Sequence, residues 1–158
     1  YSRNKLLSEK KLLKNHKKKL IILRTSNIIG ITKPNNRLHK TFIDVLFKQI
    51  NSGFILNNQK AYKDFISIDK FCQIVREIIK KNLHGIFNVS IGEKIFLNDI
   101  IDWINKYNPK KIITKNNSEK NSDSFYLNNQ KLMSKIKIKN SKKELKEYCH
   151  KISKIKFI

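Results

Sequence analysis

The feature that most restricts the fold is a run of four apolar residues, 20–23 (Leu-Ile-Ile-Leu), followed by the polar residues Arg24 to Asn27. A short, continuous apolar run is typical of a strand buried in a parallel sheet. Gly30 is expected to end this strand. Because ligands of open α/β sheets gather at the carboxyl ends of the strands, residues 24–27 lie where a binding site is expected.

Apolar residues spaced three and four apart predict helices along the rest of the chain. We expect a first helix of about four turns, with Leu6, Leu7, Leu12 and Leu13 on one face, and helices over residues 41–51, 68–82, 97–104 and 141–152. Strands are predicted over residues 54–56, 86–90 and 110–114. The expected core faces include Phe42, Val45, Leu46 and Ile50 in one helix and Phe71, Cys72, Val75, Ile78 and Ile79 in another.

The net charge of +23 would ordinarily indicate a nucleic-acid or anionic membrane partner. The chain is rich in Lys, Asn and Ile, whose codons can consist of A and T alone, so a low-GC genome explains the bias without such a partner. The lysines are spread over the whole chain, and arginine, which sequence-specific readers favour, is rare. Nucleic acid is therefore a disfavoured partner, and a basic nucleic-acid-binding module is retained as an alternative function.

The cysteines and histidines give no sign of a metal or disulfide framework. Cys72 and Cys149 are far apart in sequence, and Cys72 on an apolar helix face is expected to be buried. The four histidines are scattered without ligand spacing, so we assign no metal. Free cysteines indicate a reducing, cytoplasmic setting. No run of 18 apolar residues is present, so we expect no membrane span.

The chain begins with a tyrosine and a lysine four residues apart, Tyr1 and Lys5. On a helix this spacing puts both side chains on one face. A phenol ordinarily has a pKa of about 10, and a nearby ammonium group lowers that pKa by favouring the phenolate. Such a phenol can exchange a proton with a sugar or alcohol oxygen. The pair is a candidate catalytic dyad, although the same spacing arises often by chance in a lysine-rich chain.

Four motifs follow one another along the sequence: Tyr-x-x-x-Lys-Leu-Leu-x-Glu, Leu-Arg-Thr-Ser-Asn-Ile-Ile-Gly, Tyr-Lys-Asp-Phe-Ile-Ser-Ile-Asp and Gly-Ile-Phe-Asn-Val-Ser-Ile-Gly. In this order they resemble the carboxyl-terminal half of an extended short-chain dehydrogenase/reductase, the NAD-dependent epimerase/dehydratase family that modifies nucleotide sugars. The resemblance extends from residue 1 to about residue 105, and more weakly to about residue 138.

The resemblance implies a role for five residues. Tyr1 would exchange the proton, and Lys5 would hold the nicotinamide ribose of NAD or NADP. Ser26 would lie against the nicotinamide, and the amide of Asn27 would contact the nucleotide-sugar substrate. Lys63 stands where the family has an arginine that binds the substrate diphosphate. Lysine neutralises phosphate as a point charge but does not bind two oxygens in the forked manner of arginine.

The implied fold is α/β: the carboxyl-terminal part of a Rossmann-like parallel sheet together with a small mixed α/β substrate-binding lobe. Residues 1–35 would form the last helix–strand units of the dinucleotide-binding fold. Residues 36–138 would form the substrate-binding lobe with interleaved sheet strands, and residues 139–158 a basic helix or tail. Asp64, at the end of a strand, is expected to have a structural role.

Two parts of the family's machinery are absent from this sequence. There is no Gly-x-x-Gly-x-x-Gly phosphate cradle after a first strand, and the Ser or Thr that normally precedes the tyrosine is also absent. We therefore expect a partial chain that is inactive alone and needs an amino-terminal Rossmann half as its partner. Homodimer formation is a further expectation of the resemblance, and an inactive gene fragment is a further alternative.

Overall fold

The structure is a computed structural model that describes residues 2–16, 19–31, 42–57, 61–110, 113–116 and 124–158. In these ranges the helices are α1 (Ser2–His16), α2 (Phe42–Asn51), α3 (Ile68–Lys80), α4 (Leu97–Asn105), α5 (Gln130–Met133) and α6 (Lys142–Phe157). The strands are β1 (Ile21–Thr25), β2 (Asn27–Ile29), β3 (Phe54–Asn57), β4 (Tyr62–Lys63), β5 (Phe65–Ser67), β6 (Gly85–Val89), β7 (Ile95–Phe96) and β8 (Ile113–Asn116). Each predicted helix is present, and the strand predicted at residues 110–114 is found slightly later, as β8.

The strands form four pairs, of which three are parallel. β1 pairs with β6, β2 with β5 and β3 with β8 in parallel, whereas β4 and β7 are antiparallel. In the first pair Ile21 lies opposite Gly85, and Thr25 lies opposite Val89. Parallel strands joined through helices confirm the predicted α/β fold.

The larger hydrophobic core packs α2, α4 and α6 against residues of β2, β3, β5 and β7. Helix α4 contributes four buried residues to this core, and the predicted last helix continues beyond residue 152 to Phe157. This helix begins with a capping box between Ser141 and Glu144. Burial in this core raises the pKa of the Cys149 thiol to about 12. The buried members of this core are Ile29, Ile43, Leu46, Ile50, Ile55, Phe65, Ile91, Ile95, Ile100, Ile101, Trp103, Ile104, Leu145, Cys149 and Ile152.

The second core lies between α3, α5 and one face of the β1–β6 pair. Its buried members are Ile66, Ile74, Ile78, Phe87, Val89, Leu132 and Ile136. The prediction that β1 is fully buried is wrong, since Ile21, Ile22 and Leu23 are each only partly buried. Within the described ranges β1 has a strand partner, β6, along one edge, and its other edge is open.

Helix α3 is rotated relative to the predicted core face. Ile74 and Ile78 point into the second core, whereas Cys72 is exposed and Ile79 is 68% exposed. The predictions that Cys72 and Ile79 are buried are therefore wrong. The apolar arc of this helix is wider than the surface that it packs against. The spacing of apolar residues therefore predicted the arc correctly but not which of its residues are buried. Its start is as predicted, because the Ser67 hydroxyl accepts a hydrogen bond from a backbone N–H of the first turn.

Helix α2 shows a smaller rotation of the same kind. Ile43 is buried in the larger core, whereas Val45, predicted to face the core, is 42% exposed. Leu46 and Ile50 are buried as predicted. The helix ends as predicted at Asn51, and Gly53 follows with a φ of 72°, which suits a residue without a Cβ.

Helix α1 is attached to β1 by an ion pair between Glu9 and Arg24. The leucines Leu6, Leu7 and Leu12 of this helix are exposed. In the described part of the chain no helix is both long enough and apolar enough to cross a membrane.

We predict that two neighbouring isoleucines of α3 differ sharply in their contribution to stability. Ile78 is 1% exposed and Ile79 is 68% exposed. Ile78→Ala should lower the free energy of unfolding by about 2–5 kcal/mol, because it removes buried methyl groups and leaves a cavity. Ile79→Ala, the matched control, should change the free energy of unfolding by about 0.5 kcal/mol or less. Urea denaturation of both variants measures the difference, and equal losses would contradict the orientation of α3.

Candidate functional site

The candidate site is organised by a change of strand partner between β1 and β2. The backbone N–H of Ser26 donates to the carbonyl of Val89, which extends the β1–β6 pairing by one residue at 3.1 Å. The next N–H, that of Asn27, instead donates to the carbonyl of Asp64 at 3.2 Å. The chain therefore leaves one partner and joins another between these two residues. This point lies at the carboxyl end of β1, where parallel α/β sheets bind ligands.

Ser26 is buried, and its hydroxyl Oγ has no hydrogen-bond partner among the described residues. A buried hydroxyl without a partner destabilises a protein by about 1–3 kcal/mol. Such a group marks a place where a ligand or another polypeptide segment would supply the missing hydrogen bond. Of the side chains predicted for the site, Ser26 carries the clearest sign of an incomplete environment.

The side chain of Asn27 is held in one orientation. Its Nδ2 donates to the carbonyl oxygen of Asp64 at 3.1 Å, the same oxygen that accepts the Asn27 backbone N–H. This bond uses one of the two amide hydrogens of the side chain. The carboxamide is thus fixed before any ligand arrives.

Asp64 is fully buried, and its carboxylate accepts hydrogen bonds from two separate chain segments. Oδ1 accepts from the N–H of Ile91 at 3.1 Å, and Oδ2 accepts from the N–H groups of Gly92 at 3.0 Å and Leu127 at 3.1 Å. Burial raises the pKa of the Asp64 carboxyl, and hydrogen bonds from the backbone and from Ser90 oppose that rise. The expected structural role of Asp64 is confirmed.

Lys63 lies in β4, immediately before Asp64, and is half-buried. Its backbone is therefore one residue from the carbonyl that holds Asn27. The Lys63 ammonium nitrogen lies 5.7 Å from the ring centre of Phe125, in the range of a cation–π contact. The structure thus brings Ser26, Asn27 and the Lys63 backbone into one neighbourhood.

The predicted catalytic pair is only partly described. Tyr1 lies outside the described residues, so its role remains a prediction. Lys5 is exposed on α1, four residues before Glu9, and residues four apart share a helix face. Because Glu9 pairs with Arg24 at the end of β1, the face of α1 that carries Lys5 is the one turned toward that strand.

Sequence reasoning missed a group of aromatic and lysine side chains beside Lys63. The Lys94 ammonium nitrogen lies 5.0 Å from the Tyr62 ring centre and 5.8 Å from that of Tyr126. The Tyr62 and Phe96 rings meet edge to face at 6.1 Å. These residues come from three separate chain segments, so no local spacing could have identified them.

The described residues hold no group of His, Cys, Asp or Glu side chains suited to a metal ion. The site instead offers a buried hydroxyl, a fixed carboxamide and a lysine, together with aromatic rings. Such groups suit a polar organic ligand that carries hydroxyl and phosphate groups.

No protein-family model matches the chain, and no curated protein is significantly similar to it in sequence. Several solved structures share its fold. The UDP-N-acetylglucosamine 4-epimerase from Methanobrevibacter ruminantium, in complex with UDP-N-acetylmuramic acid, is 17% identical, with a TM-score of 0.71. The UDP-Glc/GlcNAc 4-epimerase from Campylobacter jejuni is 18% identical, also with a TM-score of 0.71. The dTDP-glucose 4,6-dehydratase from Bacillus anthracis, in complex with NAD, is 14% identical, with a TM-score of 0.63.

The three alignments cover 94%, 98% and 90% of this chain but only 49%, 54% and 46% of the respective enzymes. This chain therefore spans about half the length of the enzymes that it resembles in structure. At these identities the likeness establishes the fold, which this chain shares with about half of each of these two epimerases and of the dehydratase.

We predict opposite stability effects for two buried serines. Ser26→Ala removes a hydroxyl that has no partner in the described part of the chain, so the free energy of unfolding should stay unchanged or rise by up to about 1 kcal/mol. Ser90→Ala removes a buried hydroxyl that donates to the Leu127 carbonyl at 3.3 Å. This substitution should lower the free energy of unfolding by about 1–3 kcal/mol. Thermal and urea denaturation compare the two. A large loss with Ser26→Ala would show that its hydroxyl already has a partner.

Proposed function

We propose that this chain is the nucleotide-sugar-binding half of an NAD(P)-dependent epimerase or reductase. The observation that supports this most directly is the partner change at Ser26 and Asn27. There an unsatisfied buried hydroxyl and a fixed carboxamide lie at the carboxyl end of a parallel strand. The shared fold with enzymes described as bound to a UDP-sugar or to NAD adds to this support.

The residues proposed to contact the cofactor fit it chemically. The unpartnered Ser26 hydroxyl would complete its hydrogen bonding against the nicotinamide, and Tyr1 and Lys5 would hold the nicotinamide ribose. Bound NAD or NADP supplies the hydride acceptor and donor for a sugar carbon. Because the sequence has no glycine-rich phosphate cradle, an amino-terminal Rossmann half would have to hold the pyrophosphate.

In this proposal Tyr1 moves the proton on the sugar oxygen next to the carbon that exchanges hydride. The ammonium group of Lys5 lowers the pKa of the phenol, so the phenolate is accessible near neutral pH. The spacing of Tyr1, Lys5 and Glu9 would place all three on one helix face. The ion pair between Glu9 and Arg24 supports this arrangement, because it turns that face toward the strand that leads to Ser26.

The substrate would be bound by Asn27 and Lys63, which come after the change of strand partner along the chain. The Asn27 carboxamide would contact the nucleotide sugar, and Lys63 would neutralise its diphosphate. A lysine supplies charge without the forked geometry of arginine, so we expect weaker and less directional diphosphate binding than an arginine would give.

The proposed organisation follows from these roles. Residues 1–35 contribute the last helix–strand units of the dinucleotide-binding fold, residues 36–138 the substrate-binding lobe, and residues 139–158 a basic helix. The required partner is an amino-terminal Rossmann half, and a homodimer and a cytoplasmic setting remain predictions.

We predict that the 158-residue chain binds UDP and that Lys63 contributes to this binding. Lys63→Met should weaken UDP binding about 10-fold, since charge-assisted bonds to phosphate contribute about 1.5 kcal/mol or more. Lys63→Arg should bind at least as tightly as the wild type, because a guanidinium engages two phosphate oxygens. Isothermal titration calorimetry at low salt measures the three dissociation constants.

The matched control is Lys80→Met, which removes an exposed lysine at the end of α3 and should leave UDP binding unchanged. If Lys63→Met and Lys80→Met weaken UDP binding equally, the loss reflects the lower net charge and Lys63 has no specific role. NAD in place of UDP should show no micromolar binding to this chain, and such binding would refute the claim that the cofactor site needs another half.

We predict that Tyr1→Phe abolishes most turnover in an assembled enzyme that combines this chain with a dinucleotide-binding half. Loss of the proton shuttle should reduce kcat by about 100-fold or more, with little change in KM for the nucleotide sugar. Tyr107→Phe, which changes an exposed tyrosine at the end of α4, is the control. Turnover of Tyr1→Phe within about tenfold of the wild type would contradict the proposed role.

A further inference from the structure

Asp64 connects the two proposed substrate contacts, and this connection goes beyond the structural role expected from the sequence. Its backbone carbonyl accepts both the N–H and the side-chain Nδ2 of Asn27. Its peptide bond joins it directly to Lys63. Any movement of this residue therefore moves the Asn27 carboxamide and the Lys63 backbone together.

The Asp64 carboxylate adds a third connection, to the segment that packs beside Lys63. Oδ2 accepts the N–H of Leu127, two residues after Phe125, whose ring contacts the Lys63 ammonium. The start of the same segment is also attached to β4, since the Ser124 hydroxyl accepts the N–H of Tyr62 at 3.3 Å. Asp64 thus sets the position of the ring against which the lysine side chain rests.

The turn at residues 90–92 is bound to Asp64 but also has support of its own. Asn129 Nδ2 donates to the carbonyls of Ser90 at 2.8 Å and Ile91 at 2.9 Å, and Asn140 Nδ2 donates to the Ser90 carbonyl at 2.8 Å. Loss of the Asp64 carboxylate would leave these bonds in place. The expected consequence is a local loosening around Asn27 and Lys63, and not the loss of the fold.

We propose that Asp64 is a positioning residue for substrate binding. Its carbonyl bonds Asn27 of β2, and its carboxylate bonds the 90–92 turn and Leu127, so that one residue holds the Asn27 carboxamide and the Lys63 ammonium group at a fixed separation. This inference rests on the proposed function, because it assumes that Asn27 and Lys63 contact a nucleotide sugar. A purely structural Asp64 would instead lower stability without a selective effect on ligand binding.

The test is Asp64→Asn in the 158-residue chain, with UDP as the probe. The substitution keeps the size of the side chain but replaces one acceptor oxygen with an NH₂ group that faces backbone donors. At a temperature where the variant stays folded, UDP binding should weaken about 10-fold. Hydrogen exchange at the Ile91, Gly92 and Leu127 amides should become at least about 10-fold faster, while exchange at the buried α3 residue Ile74 stays unchanged.

Asp102→Asn is the matched control, since Asp102 is an exposed carboxylate on α4, and it should change neither readout. If Asp64→Asn does not fold, Asp64→Glu replaces it, because this substitution keeps the carboxylate charge and moves the carboxylate by one methylene relative to the three backbone donors. This milder variant should weaken UDP binding about 2- to 3-fold and accelerate exchange at the same three amides.

The outcomes separate this inference from the proposed function. If the wild type binds UDP and the variant binds it equally well, Asp64 is not a positioning residue, and the proposed function is unaffected. Faster exchange throughout the chain, Ile74 included, would assign Asp64 a global structural role and overturn the inference. A wild-type chain that does not bind UDP would overturn both.

Discussion

A buried carboxylate is expensive to remove from water, and Asp64 offsets that desolvation with hydrogen bonds from three backbone N–H groups. These donors come from segments 27, 28 and 63 residues further along the chain. The Asp64 carbonyl also accepts hydrogen bonds from Asn27. One residue therefore connects strands and loops whose strand pairs are only two or three residues long. Through its carbonyl and carboxylate, Asp64 bonds β2 to the 90–92 turn and to Leu127.

The partner change between β1 and β2 places polar groups where a continuous strand would have hidden them. Ser26 still pairs with β6, whereas Asn27 already pairs with the segment that contains Asp64. At this point the backbone groups are satisfied by two different neighbours, and the Ser26 hydroxyl is left without a partner in the described residues. Candidate binding groups and a buried polar group without a partner in the described residues therefore lie at the same place.

Local patterns predicted the secondary structure well because apolar spacing and capping residues act within a few positions. They predicted the buried faces less well: Cys72, Ile79 and Val45 are exposed, because spacing defines an apolar arc but not the part of it that meets the core. Ser26, Asn27 and Lys63 were found through resemblance to a family. The bond from Leu127 to Asp64 spans 63 residues, and nothing near either residue in the sequence indicates it.

Among the strands that the structure describes, none pairs with the second edge of β1, and this edge has a consequence for handling the protein. A short apolar strand with unpaired backbone groups is a template on which strands of other molecules can add. Arg24 is the one charged residue within the strand. Mutual repulsion between molecules of net charge +23 opposes such association at low ionic strength. Added salt shortens the range of that repulsion. Association of the chain therefore depends on the balance between strand addition at β1 and electrostatic repulsion between the charged surfaces.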